Sequence, residues 1–94
     1  MTYRKKPVVI EAFRFGVDSI PDWFMDKVSS NDIILRATRG EYRGDLNRAE
    51  IKTLEGTMTA SYGDFVIKGV AGEIYPCRAD IFFATYEELP ELRG

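Results

Sequence analysis

From Ala49 onward the chain is a succession of short β-rich runs separated by glycine-bearing turns, and no other feature limits its fold as much. The runs read AEIKTL, TMTAS, FVIKG and EIYPC, with Glu55-Gly56, Gly63-Asp64 and Val70-Ala71-Gly72 between them. β-Branched and aromatic side chains suit a pleated, half-buried surface, and glycine supplies the positive φ that tight turns need. This spacing predicts an antiparallel β-meander over the second half. Pro76 cannot donate to a ladder, which puts its run at a sheet edge or a strand end. RADIFF predicts one helical turn, and the ATYEEL tail is compatible with a last strand.

The first half is mixed. Residues 7–15, PVVIEAFRF, form a run too short and too β-rich for a helix. Alternation puts Val9, Glu11, Phe13 and Phe15 on one face and Val8, Ile10, Ala12 and Arg14 on the other, an apolar character on both sides that predicts a central strand. Glu11 between Val9 and Phe13 must then be exposed, paired or desolvated. Ser19, Pro21 and Asp22 resemble a helix start, and Ile20, Trp23, Phe24 and Val28 fall at the spacing of one helix face, which predicts a helix over 20–28 with that stripe buried. SSND ends it. Residues 33–38 read as a second strand, and RGEYRGDLNR, with two glycines and no hydrophobic period, as a loop.

Ninety-four residues, 45% hydrophobic and 30% charged, suit a single folded domain over 1–94. The fold class expected is α+β: a small, mostly antiparallel sheet or partly open barrel, one helix from the N-terminal half packed on it, and a short C-terminal helical turn. Six Phe, five Tyr and Trp23 are expected to supply much of the core.

Several chemistries are excluded or disfavoured. The chain contains no histidine, which removes Ser-His-Asp and Cys-His catalysis, histidine-ligated zinc and the commonest general base. One cysteine, Cys77, can form neither an internal disulfide nor a structural zinc site, and no phosphate loop of the GxxxxGK[ST] or GxGxxG type occurs. No cofactor and no metal site is expected; Asp18, Asp22 and Asp26, spaced four apart, read as a solvated acidic face. Thirteen basic against 15 acidic residues, net −2, disfavour nonspecific nucleic-acid binding. No stretch approaches the apolar length of a membrane span, and the lone cysteine and short N-terminal apolar run point to a reducing, cytoplasmic location.

Two constellations remain as binding candidates. Arg36, Arg39, Arg43 and Arg48 around Tyr42 offer guanidiniums for phosphate or for a carboxylate-rich partner, diluted by Glu41, Asp45 and Glu50. Asp64, Lys68, Tyr75, Arg78 and Asp80 fall in the best-patterned part of the chain, where Lys68 or Arg78 would meet a phosphate and Tyr75 or Phe65 a base. Glu11 and Asp64 are the carboxylates an enzyme reading would need as general base.

The segments Lys6-Pro7-Val8-Val9-Ile10-Glu11-Ala12, Thr53-Leu54-Glu55-Gly56, Gly63-Asp64-Phe65, Gly69-Val70, Gly72-Glu73, Tyr75-Pro76-Cys77, and Asp80-Ile81-Phe82 with Thr85-Tyr86 resemble a family of small proteins encoded by tailed phages and prophages. The stretch is also similar to the domain named for a Pro-Gly-Asp-Tyr-Gly signature, with Tyr62 in place of the proline and Val66 in place of the last glycine. The resemblance implies a phage origin and action inside an infected bacterium, and it brings no activity or binding residues with it; residues 16–50 lie outside it.

The expected function is that of a nonenzymatic phage or prophage accessory protein that binds a host macromolecule, to blunt a defence or redirect a host activity. The alternative is a protein that binds or sequesters a nucleotide-like small molecule. Neighbours on a helix lie about 100° apart, so Ile81, Phe82 and Phe83 cannot all face one core, and the exposed ring predicts a homodimer.

Overall fold

A computed structural model describes residues 1–4, 6–37 and 46–90 of the chain. Among these residues, two three-stranded antiparallel sheets and two helices make up a fold that is α+β as expected, with open sheets that do not close into a barrel. In chain order the elements are β1 (Glu11–Arg14), α1 (Asp22–Ser29), β2 (Ile33–Ala37), β3 (Leu46–Thr53), β4 (Gly56–Ser61), β5 (Phe65–Lys68), β6 (Ile74–Cys77) and α2 (Ala79–Thr85). One sheet has the order β1-β5-β6 and the other β2-β3-β4.

The expected meander is therefore split. β3–β4 and β5–β6 are hairpins as the turn residues predict, but β4 and β5 belong to different sheets. The chain crosses over at Gly63. Tyr62 N–H still bonds to the Asn47 carbonyl of β3 at 3.0 Å, whereas Gly63 N–H bonds to the Phe15 carbonyl and Phe15 N–H to the Asp64 carbonyl, both at 2.8 Å. Gly63 has φ 90°, a conformation that glycine adopts without steric cost, and the backbone turns there from one partner strand to another.

The same pairing corrects the first strand. Only four of residues 7–15 are in β1, and β1 is an edge. Its single partner, β5, is four residues long, so it offers ladder bonds only from Glu11 opposite Lys68 to Arg14 opposite Phe65. Glu11 is exposed, with its carboxylate 3.6 Å from Lys68 Nζ.

The helix also starts later than its pattern implies. α1 runs over Asp22–Ser29 with an extended Pro21 at its N-cap, and no side chain caps it; the Pro21 carbonyl accepts from Phe24 and Met25 instead. Ile20 lies before the first turn and is exposed, while Phe24 is fully buried and Trp23 and Val28 are half-buried against the core. Asn31 ends the helix at φ 65°, a left-handed conformation that Asn tolerates better than most residues. β3 begins at Leu46, so the last residues of the expected 39–48 loop are strand.

Phe13, Phe15, Phe24, Ile33, Ala49, Ile51, Ala60, Val66 and Ile74 form the core between the sheets and α1. Phe13 meets Phe24 and Trp23 edge-on, at 5.0 and 5.6 Å between centroids, the geometry that the ring quadrupole favours. Ile67 is buried on the opposite face of its sheet, where Ala12 and Tyr75 are its cross-strand neighbours. α2 replaces the single expected turn with a seven-residue helix, and residues 86–90 form no strand. No helix among the described residues is long and apolar enough to cross a membrane.

Candidate binding surface

The period-2 rule assigns Ala12, Arg14, Phe65, Ile67, Tyr75 and Cys77 to the face of β1-β5-β6 that points away from the core. α2 covers part of it. Phe82 stacks on Phe65 with centroids 3.9 Å apart and planes 5° from parallel, and Tyr86 lies 5.1 Å beyond Phe82. Since an α-helix turns its next residue by about 100°, seating Phe82 inward forces Ile81 and Phe83 outward. They are 51% and 61% exposed, so the expectation of an outward ring holds.

Phe83 borders a fixed cation. The Arg14 guanidinium lies 5.8 Å from the Phe83 centroid and 5.5 Å from that of Phe65, and Phe83 meets Phe65 edge-on at 5.2 Å. Arg14 Nε donates to the Gly63 carbonyl at 2.9 Å. That bond orients the planar guanidinium and leaves its two Nη groups as a fork of donors, the geometry that matches a carboxylate. β1 positions Arg14, the crossover at Gly63 holds it, and α2 brings Phe83 beside it. A cation within about 6 Å of an aromatic ring is attracted to it by about 0.5–1 kcal/mol at an exposed site.

Beneath the end of α2, Tyr75 and Tyr86 share a side-chain hydrogen bond. Burial, then that hydrogen bond, then the charges that Tyr86, Glu73 and Cys77 carry when ionised, push the Tyr75 hydroxyl from 10.0 up to about 12. An unfolded chain releases this proton first, so the stability it contributes is complete below pH 10 and lost as pH rises through about 12. Melting temperature is expected to fall more steeply from pH 10 to 12 in the natural chain than in Tyr75→Phe. Absorbance at 295 nm should lose its highest-pH phase in that variant. An unchanged titration curve would refute this assignment.

The sequence candidates are distributed differently. Arg36 and Arg48 lie in strands, directly opposite each other on the polar face of β2-β3, and Arg36 Nε is 2.8 Å from Glu50 Oε2. Arg39, Tyr42 and Arg43 lie outside the described residues. The second constellation is divided: Lys68 shares a face with Val66 and pairs with Glu11, whereas Tyr75 is on the other face. Asp64 Oδ2 accepts from Ser61 N–H at 2.9 Å and closes a turn, and Arg78 pairs with Asp80 at 2.9 Å in solvent. Cys77 Sγ contacts the Arg78 carbonyl.

A cleft of about 690 Å³ opens between the two sheets at the end away from Gly63. Ile33, Ile51 and Ile74 are its apolar floor, and Lys27, Lys52, Asp32, Glu55 and Glu73 stand around it. Neither Glu11 nor Asp64 lines it. Among the described residues no group of three potential ligands is placed to hold a metal ion. No family model, no curated protein and no solved structure matches the chain.

Sequence reading missed both the Arg14–Phe83 pairing and the cleft. The signal for the first was an arginine in an otherwise apolar strand, Ala12-Phe13-Arg14-Phe15, but its partner is contributed 69 positions further on.

Proposed function

We propose that this chain is a nonenzymatic phage or prophage accessory protein that binds a host protein through the Arg14–Phe83 surface. The carrying observation is a ring 61% exposed beside a guanidinium that the Gly63 carbonyl holds in place. Aromatic residues and arginine dominate the energetics of protein interfaces, because each combines large contact area with directional bonding. A partner suited to this surface presents a carboxylate next to an apolar side chain. The carboxylate meets the Arg14 fork and the apolar group covers Phe83. The phage reading comes from the sequence resemblance, and the bacterial cytoplasm follows from it.

Capture from bacterial lysate on immobilised protein tests the proposal, with Phe83→Glu and Arg14→Ala as variants and charge reversal at Arg36 and Arg48 as comparison. One protein retained by the natural chain, lost at least tenfold in the first two variants and kept in the third, is expected. Equal retention by all of them sinks it.

The cleft favours a second reading, sequestration of a small molecule. Its volume is within the range of about 300–1,000 Å³ typical of ligand sites, and Lys27 and Lys52 supply cations beside an apolar floor. A nucleotide held at 100 times its Kd raises stability by about 2.7 kcal/mol. Thermal shift over mononucleotides and cyclic dinucleotides should then show a rise that Lys52→Ala removes. A flat response across the panel ends this reading.

A further inference from the structure

Each sheet has two edges, and three of the four carry a device that discourages further pairing. β1 is four residues long and charged at Glu11 and Arg14. β6 contains Pro76. β2 has a register shift between Arg36 and Ala37, with Arg36 at that position. β4, Gly56-Thr57-Met58-Thr59-Ala60-Ser61, has no charge, no proline and no bulge, and its register with β3 runs unbroken over six residue pairs. A straight, uncharged edge of this kind is a template for another strand.

The phase of its hydrogen bonds is fixed. Tyr62 N–H bonds to Asn47 of β3, and in an antiparallel ladder such residues alternate. Tyr62, Ala60, Met58 and Gly56 therefore turn their backbone groups toward β3, while Ser61, Thr59 and Thr57 turn theirs outward. The Asp64 carboxylate takes the Ser61 N–H. Thr57 and Thr59 are left presenting outward N–H and C=O groups with no bond to them among the described residues.

We propose that β4 is a strand-addition site, and that its occupant is β4 of a second copy of this chain, paired antiparallel about a two-fold axis at Met58. Thr57 then exchanges bonds with the partner's Thr59, and Thr59 with the partner's Thr57, joining the two β2-β3-β4 sheets into one. The register follows from what is already occupied: centring on Thr59 would require Ser61 N–H, which Asp64 holds. Centring on Met58 also brings Leu54, in the turn before β4, toward the partner's Tyr62, in the turn after it. Both are large apolar residues left in water by the single chain, with Leu54 fully exposed and Tyr62 65% exposed. Met58, 39% exposed at the mouth of the cleft, meets the partner's Met58. No like charges face each other along the strand, and threonine pairs stabilise such contacts. A second copy is thus complementary in hydrogen bonds and in apolar cover, with no charge repulsion along the strand.

The Met58 pair occupies a non-hydrogen-bonded position, where Cα atoms stand about 4.5 Å apart, within the range of about 4.4–6.8 Å that a disulfide spans. In the full chain with Cys77→Ser, Met58→Cys is expected to form a disulfide-linked dimer under mild oxidant at least tenfold faster than Leu54→Cys, although Leu54 is the more exposed. Thr59→Pro removes one outward donor and no bond to β3. Light scattering over a concentration series should give a dimer mass for the natural chain and a monomer mass for Thr59→Pro. If Thr59→Pro does not fold, the two cross-linking rates decide. A monomer mass for the natural chain at every concentration, a dimer abolished by Phe83→Glu but not by Thr59→Pro, or equal cross-linking of the two cysteine variants overturns the proposal.

Discussion

Phe24→Ala is expected to cost about 3–5 kcal/mol of folding stability, the range for deleting a buried ring whose site collapses only in part. Phe24 has no exposed surface, and it is the side chain through which α1 contacts both Phe13, at 5.0 Å, and Phe15, at 6.2 Å. Removing it leaves a void between β1 and α1 and takes one aromatic partner from each of those rings, with Trp23 still against Phe13. Domains of this size are stable by only about 5–15 kcal/mol, so the variant should lose a large share of the total. With a urea dependence of about 1–3 kcal/mol per molar, the midpoint should move down by at least about 1 M. Phe83→Ala, at an exposed position, should stay within about 1 kcal/mol of the natural chain. Equal losses in the two variants would mean that the core does not lie where the buried rings put it.

The second large effect is local. α2 contains no buried residue, and seven residues are too few to hold a helix in water without tertiary contacts. Its anchor is Phe82 between Phe65 and Tyr86. Phe82→Ala removes the stack and most of the covered apolar area, together about 2 kcal/mol or more. Local opening should become easier by that amount, so amide exchange at residues 82–86 is expected to rise by roughly thirtyfold, while amides of β3 and β5 keep their protection. Phe83 would then lose its fixed position beside Arg14, and the proposed capture of a partner through that surface should fall along with it. If exchange rose uniformly across the chain instead, α2 would be part of the global folding unit and the anchor argument would fail.

These two effects differ because the Phe24 ring joins α1 to both Phe13 and Phe15 in the core, whereas the Phe82 ring lies on the outer face of a single sheet. That distinction was only partly legible beforehand. The spacing of Trp23, Phe24 and Val28 marks one face of a helix, and the pattern picks out Phe24 as buried. It also includes Ile20, which lies before the first turn because Pro21 occupies the N-cap. The adjacency of Ile81, Phe82 and Phe83 was enough to require an outward ring, since helical rotation is a local property. It did not say that Phe82 would be the inward one, because Phe65 is 17 positions away.

Local rules decided much of this protein. The sequence alone determined the α+β class, the turns of the two hairpins, the placing of Pro76 at a sheet edge or strand end, and the absence of histidine chemistry. Each follows from φ preference, side-chain period or composition, which act over a few residues. The tertiary structure decided which hairpin joins which sheet, that β1 is an edge, and that Arg36 and Arg48 face each other across two strands. It also decided that Lys68 and Tyr75 look to opposite sides, and that Arg14 is held by Gly63, 49 positions along the chain. Strand pairing is a long-range choice among segments of similar β propensity. A one-residue change of register exchanges the faces of every side chain, so the composition of a strand does not reveal its neighbour.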